Sequence, residues 1–380
     1  MPIHIGVLSD PRKFHAQKWS KALREAGAQV SIFSFDPVPE NVPDAYQIFP
    51  EGNPNKKYDY FSYLNSGKML ADALAEKKVD VLNPLSITPF GVWAMKSGFH
   101  PIVASALGAD ILEYPKTLSL NNPVLQKGWG EQEINDGLIG KLRSWTSNRV
   151  FRKYVKQALA AADFVTGDNA LLIEKMNEWF EVPPEKMEVL RWGVEEKLFM
   201  VDEEKLNTLR LRFNLSKEDR VIFSPRGAKP VYQPDIILRA FTAVLETGLP
   251  HLKIIFLSAG YDISDAVRNQ AKALSQRDAL SSPKGFPHFV FVEAQMPREE
   301  VYALWNLVDI FVNAPIYDGY SAALAEGRYI GAIPIECDSG ACRTDRAQPK
   351  RNHCGSLQCL KSGKQPFIRP GKSGFTKSKI

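Results

Sequence analysis

Short apolar runs alternate with helical patterns along most of this chain, and this alternation restricts the possible folds more than any other feature. Runs rich in Val, Ile and Phe are typical of strands buried in a parallel sheet. The pattern predicts strands over 3–9, 30–35, 79–85, 101–107, 163–168, 186–192, 220–224, 253–260, 288–294, 309–315 and 333–336. Strands that alternate with helices form parallel sheets that the helices cover, so we expect a doubly wound α/β fold.

The stretches between the strands carry apolar residues at helical spacing. One helix is predicted to begin near Pro234, with Ile237, Phe241 and Val244 on one face and Gly248 as its stop. Such a face would lie against a sheet, as the α/β fold requires.

Two sets of strands and helices follow one another, and 380 residues are enough for two domains. The polar stretch "MVDEEKLNTLRLRFNLSKED" separates the sets. We therefore predict Rossmann-like domains over 1–205 and 206–337, facing each other, and an aberrant basic tail over 338–380. Ligands bind beyond the carboxyl ends of the strands in open α/β sheets, which predicts a site in the cleft between the domains.

The net charge of +5 hides an uneven distribution. Residues 337–380 hold ten Lys/Arg and two Asp/Glu, a charge of +8, so the first 336 residues carry 5 − 8 = −3. A mildly acidic body argues against a nucleic-acid partner. The start "MPIHIGVLSDPRKF" is typical of a strand and a loop rather than of a signal peptide, and no apolar run is long enough for a membrane span, so we expect a cytoplasmic location.

Polar and charged residues directly follow several predicted strands, where a ligand would bind. His15 lies in "SDPRKFHAQKW", Asp110 in "GAD", and Arg226 and Lys229 in "SPRGAKP". The two cations suit phosphate oxygens. The alternatives are a surface histidine, a helix cap at Asp110 and a solvated loop around Arg226.

The segment "IYDGYSAALAEGRYIGAIPIE" is the most specific of these stretches. Asp318 and Gly319 follow a strand and precede a predicted helix, whose free N–H groups would favour a diphosphate. Glu326 lies on that helix, and its carboxylate could accept hydrogen bonds from the two hydroxyls of a ribose. The alternative is an acid at a helix entrance and a solvated glutamate.

These segments together resemble the retaining GT-B glycosyltransferases of family 4, whose second domain is the "glycosyl transferases group 1" domain. The family pattern of an acid, seven residues, Glu and then G-x-P matches "DGYSAALAEGRYIGAIP", with Asp318 in place of the usual first Glu. "SPRGAKPVYQPDIILRAF" resembles the phosphate loop that opens the second domain, and "LRWGVEEKLF" resembles another family segment, with Glu195 in place of Asp. "ALGADIL" carries Leu107 where the family has His or Trp.

The resemblance implies sugar transfer from a UDP- or GDP-sugar to a glycan, lipid-linked or small-molecule acceptor, with retention of configuration. The first domain would bind the acceptor, and the second would bind the donor. The implied donor-binding residues are Arg226, Lys229, Asp318, Gly319, Tyr320, Ser321 and Glu326; the candidate catalytic residues are His15, Asp110 and Arg226. No metal or other cofactor is expected, because cations and a helix N-terminus can stabilise the leaving diphosphate.

Two other functions would also fit these sequence features. One is a sugar-nucleotide epimerase on the same architecture, and the other is a nonenzymatic binding protein that uses the basic tail. A role in cell envelope polysaccharide synthesis, with peripheral contact at the inner membrane face, would fit a lipid-linked acceptor.

The tail differs in character from the rest of the chain. All four cysteines lie there, as Cys-x4-Cys pairs beside His353, which leaves zinc or acidic lipid or nucleic acid as candidate ligands; disulfides are disfavoured in the cytoplasm. We favour a frameshift near residue 340, because residues 343–366, back-translated and read one base later, give a string that resembles the family's continuation. We therefore expect a disordered tail and an incomplete second domain.

Overall fold

A computed structural model describes residues 2–48, 60–112, 152–191, 193–226, 230–258, 263–281, 288–316 and 318–336. The predictions for the tail and for Lys229 lie outside these residues. The described chain divides into two compact units, the first ending at Arg191 and the second beginning at residue 193.

The first unit is built on parallel strands. They are β1 (His4–Leu8), β2 (Gln29–Ser34), β3 (Ala45–Gln47), β4 (Val81–Pro84), β5 (Val103–Ala106), β6 (Phe164–Gly167) and β7 (Met187–Val189). One sheet has the order β3-β2-β1-β4 and the other the order β5-β6-β7, and parallel bridges from Leu82 to Ile102 and from Leu85 to Ser105 join β4 to the β5 region. The helices are α1 (Phe14–Glu25), α2 (Tyr60–Glu76), α3 (Val92–Ser97), α4 (Ala109–Leu112), α5 (152–161) and α6 (Ala170–Phe180).

The second unit holds a single sheet of five parallel strands among its described residues. These are β8 (Arg220–Ser224), β9 (Leu252–Leu257), β10 (Phe289–Val292), β11 (Ile310–Asn313) and β12 (Ile333–Glu336), in the order β10-β9-β8-β11-β12. The helices are α7 (Glu203–Arg212), α8 (Pro234–Glu246), α9 (Asp265–Ser281), α10 (Arg298–Trp305) and α11 (Ala322–Tyr329), with 3-10 turns over Glu196–Phe199 and Pro230–Tyr232.

The doubly wound α/β prediction is confirmed, since every described strand pair is parallel and the strand order reverses between β1 and β4 and between β8 and β11. Burial accompanies most of the apolar runs that became strands, and all of β9 is buried, whereas β12 exposes Ile333 and Ile335. Helix α8 has Pro234 in its first turn and buries Ile237 and Phe241, as its spacing predicts.

The core of the second unit extends into the polar segment before β8. Phe199, Leu209 and Phe213 belong to one buried cluster with Trp305 and Phe311. Helix α7 therefore packs on the second unit, and the division between the units lies N-terminal to the boundary that polarity placed at 205/206.

Candidate functional site

Two charged side chains meet beyond the adjacent strands β8 and β11, at the point where the strand order of the second unit reverses. The Arg226 Nη2 group, just past β8, donates to Asp318 Oδ2 at 2.8 Å and to the Tyr232 hydroxyl at 2.6 Å. The guanidinium also lies 4.7 Å from the centre of the Tyr232 ring. Ligands of open α/β sheets bind at such a reversal, so the pair occupies the expected place for a site.

The environment of this pair shifts the pKa of the Asp318 carboxyl. Its side chain is 16% exposed and that of Arg226 24%. Burial raises the pKa of Asp318 above its ordinary value, although the Arg226 charge and hydrogen bonds from the Gly319 backbone and the Arg226 side chain lower it. Removing Arg226 would therefore raise the pKa of Asp318 further, because the charge and the side-chain hydrogen bond that lower it would be lost.

Helix α11 begins four residues after Asp318, at Ala322. Ser321 is its N-cap residue, buried, and its Oγ atom accepts from the Leu324 N–H at 3.4 Å. The Asn313 side chain, at the end of β11, donates to Ser321 Oγ at 3.5 Å and to Glu336 Oε1 at 2.7 Å. The N-terminus of α11 is thus tied to the carboxyl ends of β11 and β12, beside Asp318.

Glu326 lies on the second turn of α11, and two aromatic side chains hold its carboxylate. The Tyr302 hydroxyl donates to Oε1 at 3.2 Å, and the Trp305 indole N–H donates to Oε2 at 3.1 Å. Arg298 donates to the Tyr302 hydroxyl at 2.7 Å through Nη2 and at 3.3 Å through Nε. Burial, followed by the Glu326 charge, raises the pKa of Tyr302 to about 12, so its proton stays in place for donation at neutral pH.

A glycine lets α11 approach the sheet closely at this position. A Cβ atom added at Gly327 would overlap the Phe311 ring of β11. Gly327 itself is buried, and Glu326 precedes it. The spacing between α11 and β11 therefore depends on the absence of a side chain beside the glutamate.

In the first unit, the structure gives Asp110 the contacts of a loop cap. Its carboxylate accepts from the Ile87 N–H at 2.6 Å and from the Leu107 N–H at 3.0 Å. Burial raises its pKa to about 6, against the lowering effect of backbone N–H groups that include those of Gly108 and Asp110 itself. The bonds from Ile87 and Leu107 come from N–H groups outside α4, and both the helix-cap and the catalytic interpretation of Asp110 stay predictions.

The other first-unit candidate, His15, is exposed near the start of α1, with its ring 5.8 Å from that of Phe14. Beside it, Arg12 pairs with Asp10 at 2.9 Å and with Asp36 at 3.1 Å. Burial raises the pKa of Asp10, but hydrogen bonds and charge from Arg12 outweigh it and hold that pKa below its ordinary value. Ion pairs therefore hold the loop between β1 and α1. A catalytic role for His15 also stays a prediction.

The sequence predicted Arg226, Asp318 and Glu326 but missed the residues that hold them: Tyr232, Arg298, Tyr302 and Trp305. The last three recur at helical spacing along α10, which puts them on one face. That spacing could have pointed to them, but it is also the pattern of a packed helix face.

Two other kinds of feature are absent from the residues that the structure describes. Within them, no group of three or more His, Cys, Asp or Glu side chains could hold a metal ion. None of the helices described is long and apolar enough to cross a membrane.

Comparison with known proteins gives a family match within the first unit and a match of fold over most of the chain. Residues 4–129 match the family described as glycosyl transferase 4-like. A glycosyltransferase structure from Rickettsia africae shares 14% identity at a TM-score of 0.60, covering 90% of this chain and 80% of that one. Sucrose-phosphate synthase from Thermosynechococcus elongatus shares 16% at a TM-score of 0.62, covering 90% and 82%.

The chain has the GT-B glycosyltransferase fold. A third structure with this fold is Anabaena HepE in complex with UDP and glucose, with 13% identity, a TM-score of 0.56, and coverage of 90% of this chain and 82% of that one. No curated protein matches the chain. At these identities, the structural likeness shows the fold alone.

Proposed function

We propose that this GT-B chain is a glycosyltransferase that moves a sugar from a nucleoside-diphosphate sugar to an acceptor, with the donor bound by its second unit. The observation that carries the proposal is the meeting of Arg226 and Asp318 beyond β8 and β11, beside the N-terminus of α11. A cation, a carboxylate and a helix N-terminus in one place match the diphosphate and hydroxyl groups of such a donor. The structure of HepE with UDP and glucose supports the choice of donor.

Each group has a separate task in this proposal. Arg226, together with Lys229, binds the diphosphate and stabilises its charge as the leaving group departs. The helix N-terminus at Gly319, Tyr320 and Ser321 adds backbone N–H groups. Asp318 accepts from a sugar hydroxyl, and Glu326 accepts from the ribose hydroxyls. Because Arg226 and the helix supply positive charge, the reaction needs no bound metal.

The first unit takes the acceptor in this proposal, and residues 4–129 match the glycosyl transferase 4-like family. A glycan, a lipid-linked sugar or a small molecule would serve as acceptor, and His15 and Asp110 are the candidate catalytic residues on that side. Retention of configuration, a cytoplasmic location with peripheral membrane contact, and a role in cell envelope polysaccharide synthesis belong to the same proposal.

The test is turnover of UDP-glucose and GDP-mannose by the purified chain, with products followed by mass spectrometry and NMR. Release of the nucleoside diphosphate, with the hexose on an added glycan or on water, is the expected result. The anomer formed reports retention or inversion. Conversion of the donor to its epimer would identify an epimerase instead, and nucleotide binding without turnover would favour a binding protein.

A matched pair of variants keeps this test specific. Glu326→Gln should lower turnover, whereas Glu299→Gln, an exposed glutamate on α10, should leave it unchanged. Equal loss in both variants, or turnover that neither changes, would overturn the assignment of the donor site.

A further inference from the structure

We propose that Tyr302 and Trp305 are positioning residues, which orient the Glu326 carboxylate toward the ribose hydroxyls of the donor, and that Arg298 sets the direction of the Tyr302 hydroxyl. This inference rests on the proposed function, because it takes Glu326 as the group that binds the ribose. It adds three residues from a different helix, α10, to the donor site on α11.

The contacts of the Tyr302 hydroxyl determine which way its proton points. A phenol oxygen both donates and accepts, so its proton can point in more than one direction. Arg298 has only donors to offer, and it lies 2.7 Å from this oxygen. The oxygen must therefore accept from Arg298, which leaves its own proton for Glu326 Oε1 at 3.2 Å.

The Trp305 indole contacts the other oxygen of the Glu326 carboxylate. An indole N–H is a donor only, so Glu326 Oε2 accepts from it at 3.1 Å. The Trp305 ring is fully buried, with Phe223 at 4.9 Å and Phe311 at 5.4 Å in edge-on contacts. Because this core holds the ring in place, the N–H has a fixed direction.

These two donors together limit the freedom of the Glu326 carboxylate. One donor on each oxygen restricts rotation of the Glu326 carboxylate, so its plane is set before a ligand binds. A carboxylate has about four acceptor positions, and in this proposal two adjacent ribose hydroxyls bind to a carboxylate that is already oriented. Preorganisation of this kind improves affinity because less side-chain freedom is lost on binding.

The positioning role predicts an effect that depends on the ribose hydroxyls. Tyr302→Phe removes only the hydroxyl and should weaken UDP binding by about 3- to 10-fold in calorimetry, the range of one hydrogen bond. Binding of 2′,3′-dideoxy-UDP, which lacks the two hydroxyls, should be unchanged by the substitution. Tyr329→Phe is the matched control, since both rings pack against Phe199, that of Tyr302 at 4.9 Å and that of Tyr329 at 5.1 Å, but Tyr329 is 39% exposed.

A double variant tests whether Tyr302 acts through Glu326. If it does, Tyr302→Phe should add nothing to the loss of UDP binding caused by Glu326→Gln. Additive losses, or equal weakening of UDP and dideoxy-UDP by Tyr302→Phe, would overturn the positioning role. If Glu326→Gln leaves UDP binding intact, the failure lies in the proposed function itself, since the ribose is then bound elsewhere.

A second substitution covers the case in which Tyr302→Phe disturbs the core. Arg298→Gln keeps the Tyr302 ring but removes the cation that directs its hydroxyl. It should weaken UDP binding more than dideoxy-UDP binding while the melting temperature stays close to that of the unaltered chain. Equal effects on both nucleotides would count against the proposal.

Discussion

The guanidinium of Arg226 donates a hydrogen bond to the carboxylate of Asp318 at 2.8 Å, although 92 positions separate the two residues in sequence. The contact exists because β8 and β11 are neighbours in the sheet, with Ile222 opposite Ile310 and Phe223 opposite Phe311. Loops that leave the same edge of adjacent parallel strands must lie side by side. In the proposed reaction, Arg226 must share or exchange this partner when it binds phosphate oxygens.

The first prediction is that Arg226→Ala lowers the rate of transfer more than it weakens binding of the free nucleotide. Negative charge on the leaving diphosphate grows in the transition state, and only contacts that strengthen there accelerate the reaction. We expect a fall in kcat of about 100-fold or more, the usual cost of one such group. Initial rates and calorimetry with UDP measure the two effects.

Arg239→Ala is the control for that prediction, because Arg239 is an exposed cation on α8 that pairs with Asp235 at 3.7 Å. It should change neither quantity. If kcat survived Arg226→Ala, the loop after β8 would have a structural role only.

The order of the elements could be predicted because burial dictates it locally. Each apolar run that became a strand is continuous in sequence, so it can be recognised without knowing which strands pair with each other. Strand β3, residues Ala45–Gln47, escaped prediction because three residues cannot show a period. It forms because β2 offers it hydrogen-bond partners, from Ile32 to Ser34.

The candidate site likewise contains residues that the sequence predicted and contacts that it could not predict. Arg226 and Asp318 could be predicted because they follow strands, where parallel sheets bind ligands. Their mutual contact could not, because it depends on which strands are neighbours. The contacts of Tyr302 and Trp305 with Glu326 were missed because an aromatic residue that donates to a carboxylate has the same helical spacing as one that only packs.

The second prediction concerns affinity for the nucleotide. Glu326→Ala should weaken binding of UDP or GDP by about 1–3 kcal/mol, the range for hydrogen bonds to a charged group. Calorimetry at fixed ionic strength measures the change. Equal affinity in the altered and unaltered chains would rule out contact between Glu326 and the ribose.

The third prediction concerns the close approach of α11 to β11. Gly327→Ala would place a methyl group into the Phe311 ring, and overpacking of this kind costs about 1–3 kcal/mol in the free energy of unfolding. Urea denaturation measures it. Combining Gly327→Ala with Phe311→Leu should recover part of the loss, because the smaller side chain makes room.

Gly193→Ala is the matched control, since a Cβ atom there would meet nothing within 4 Å. It should change the free energy of unfolding by less than about 0.5 kcal/mol. A loss as large as that of Gly327→Ala would mean that the cost comes from something other than the Phe311 contact.

The fourth prediction concerns pH and Asp110. Burial raises its pKa to about 6 in the folded chain from the ordinary value of 3.8, so between these values the folded chain holds a proton that the unfolded chain has released. Stability from this group is therefore full below about pH 4 and falls as pH rises to about 6, by up to about 3 kcal/mol in all. Urea denaturation from pH 4 to pH 7 measures the trend.

Asp110→Asn isolates that contribution, because an amide does not ionise in this range. The amide will have its own cost, since its NH₂ group faces backbone N–H donors of Ile87 and Leu107. The informative quantity is thus the unfolding free energy of the unaltered chain minus that of the Asp110→Asn chain. This difference should fall as pH rises from 4 to 7. A constant difference would mean that Asp110 ionises alike in the folded and unfolded chains, and that the backbone donors fully offset its burial.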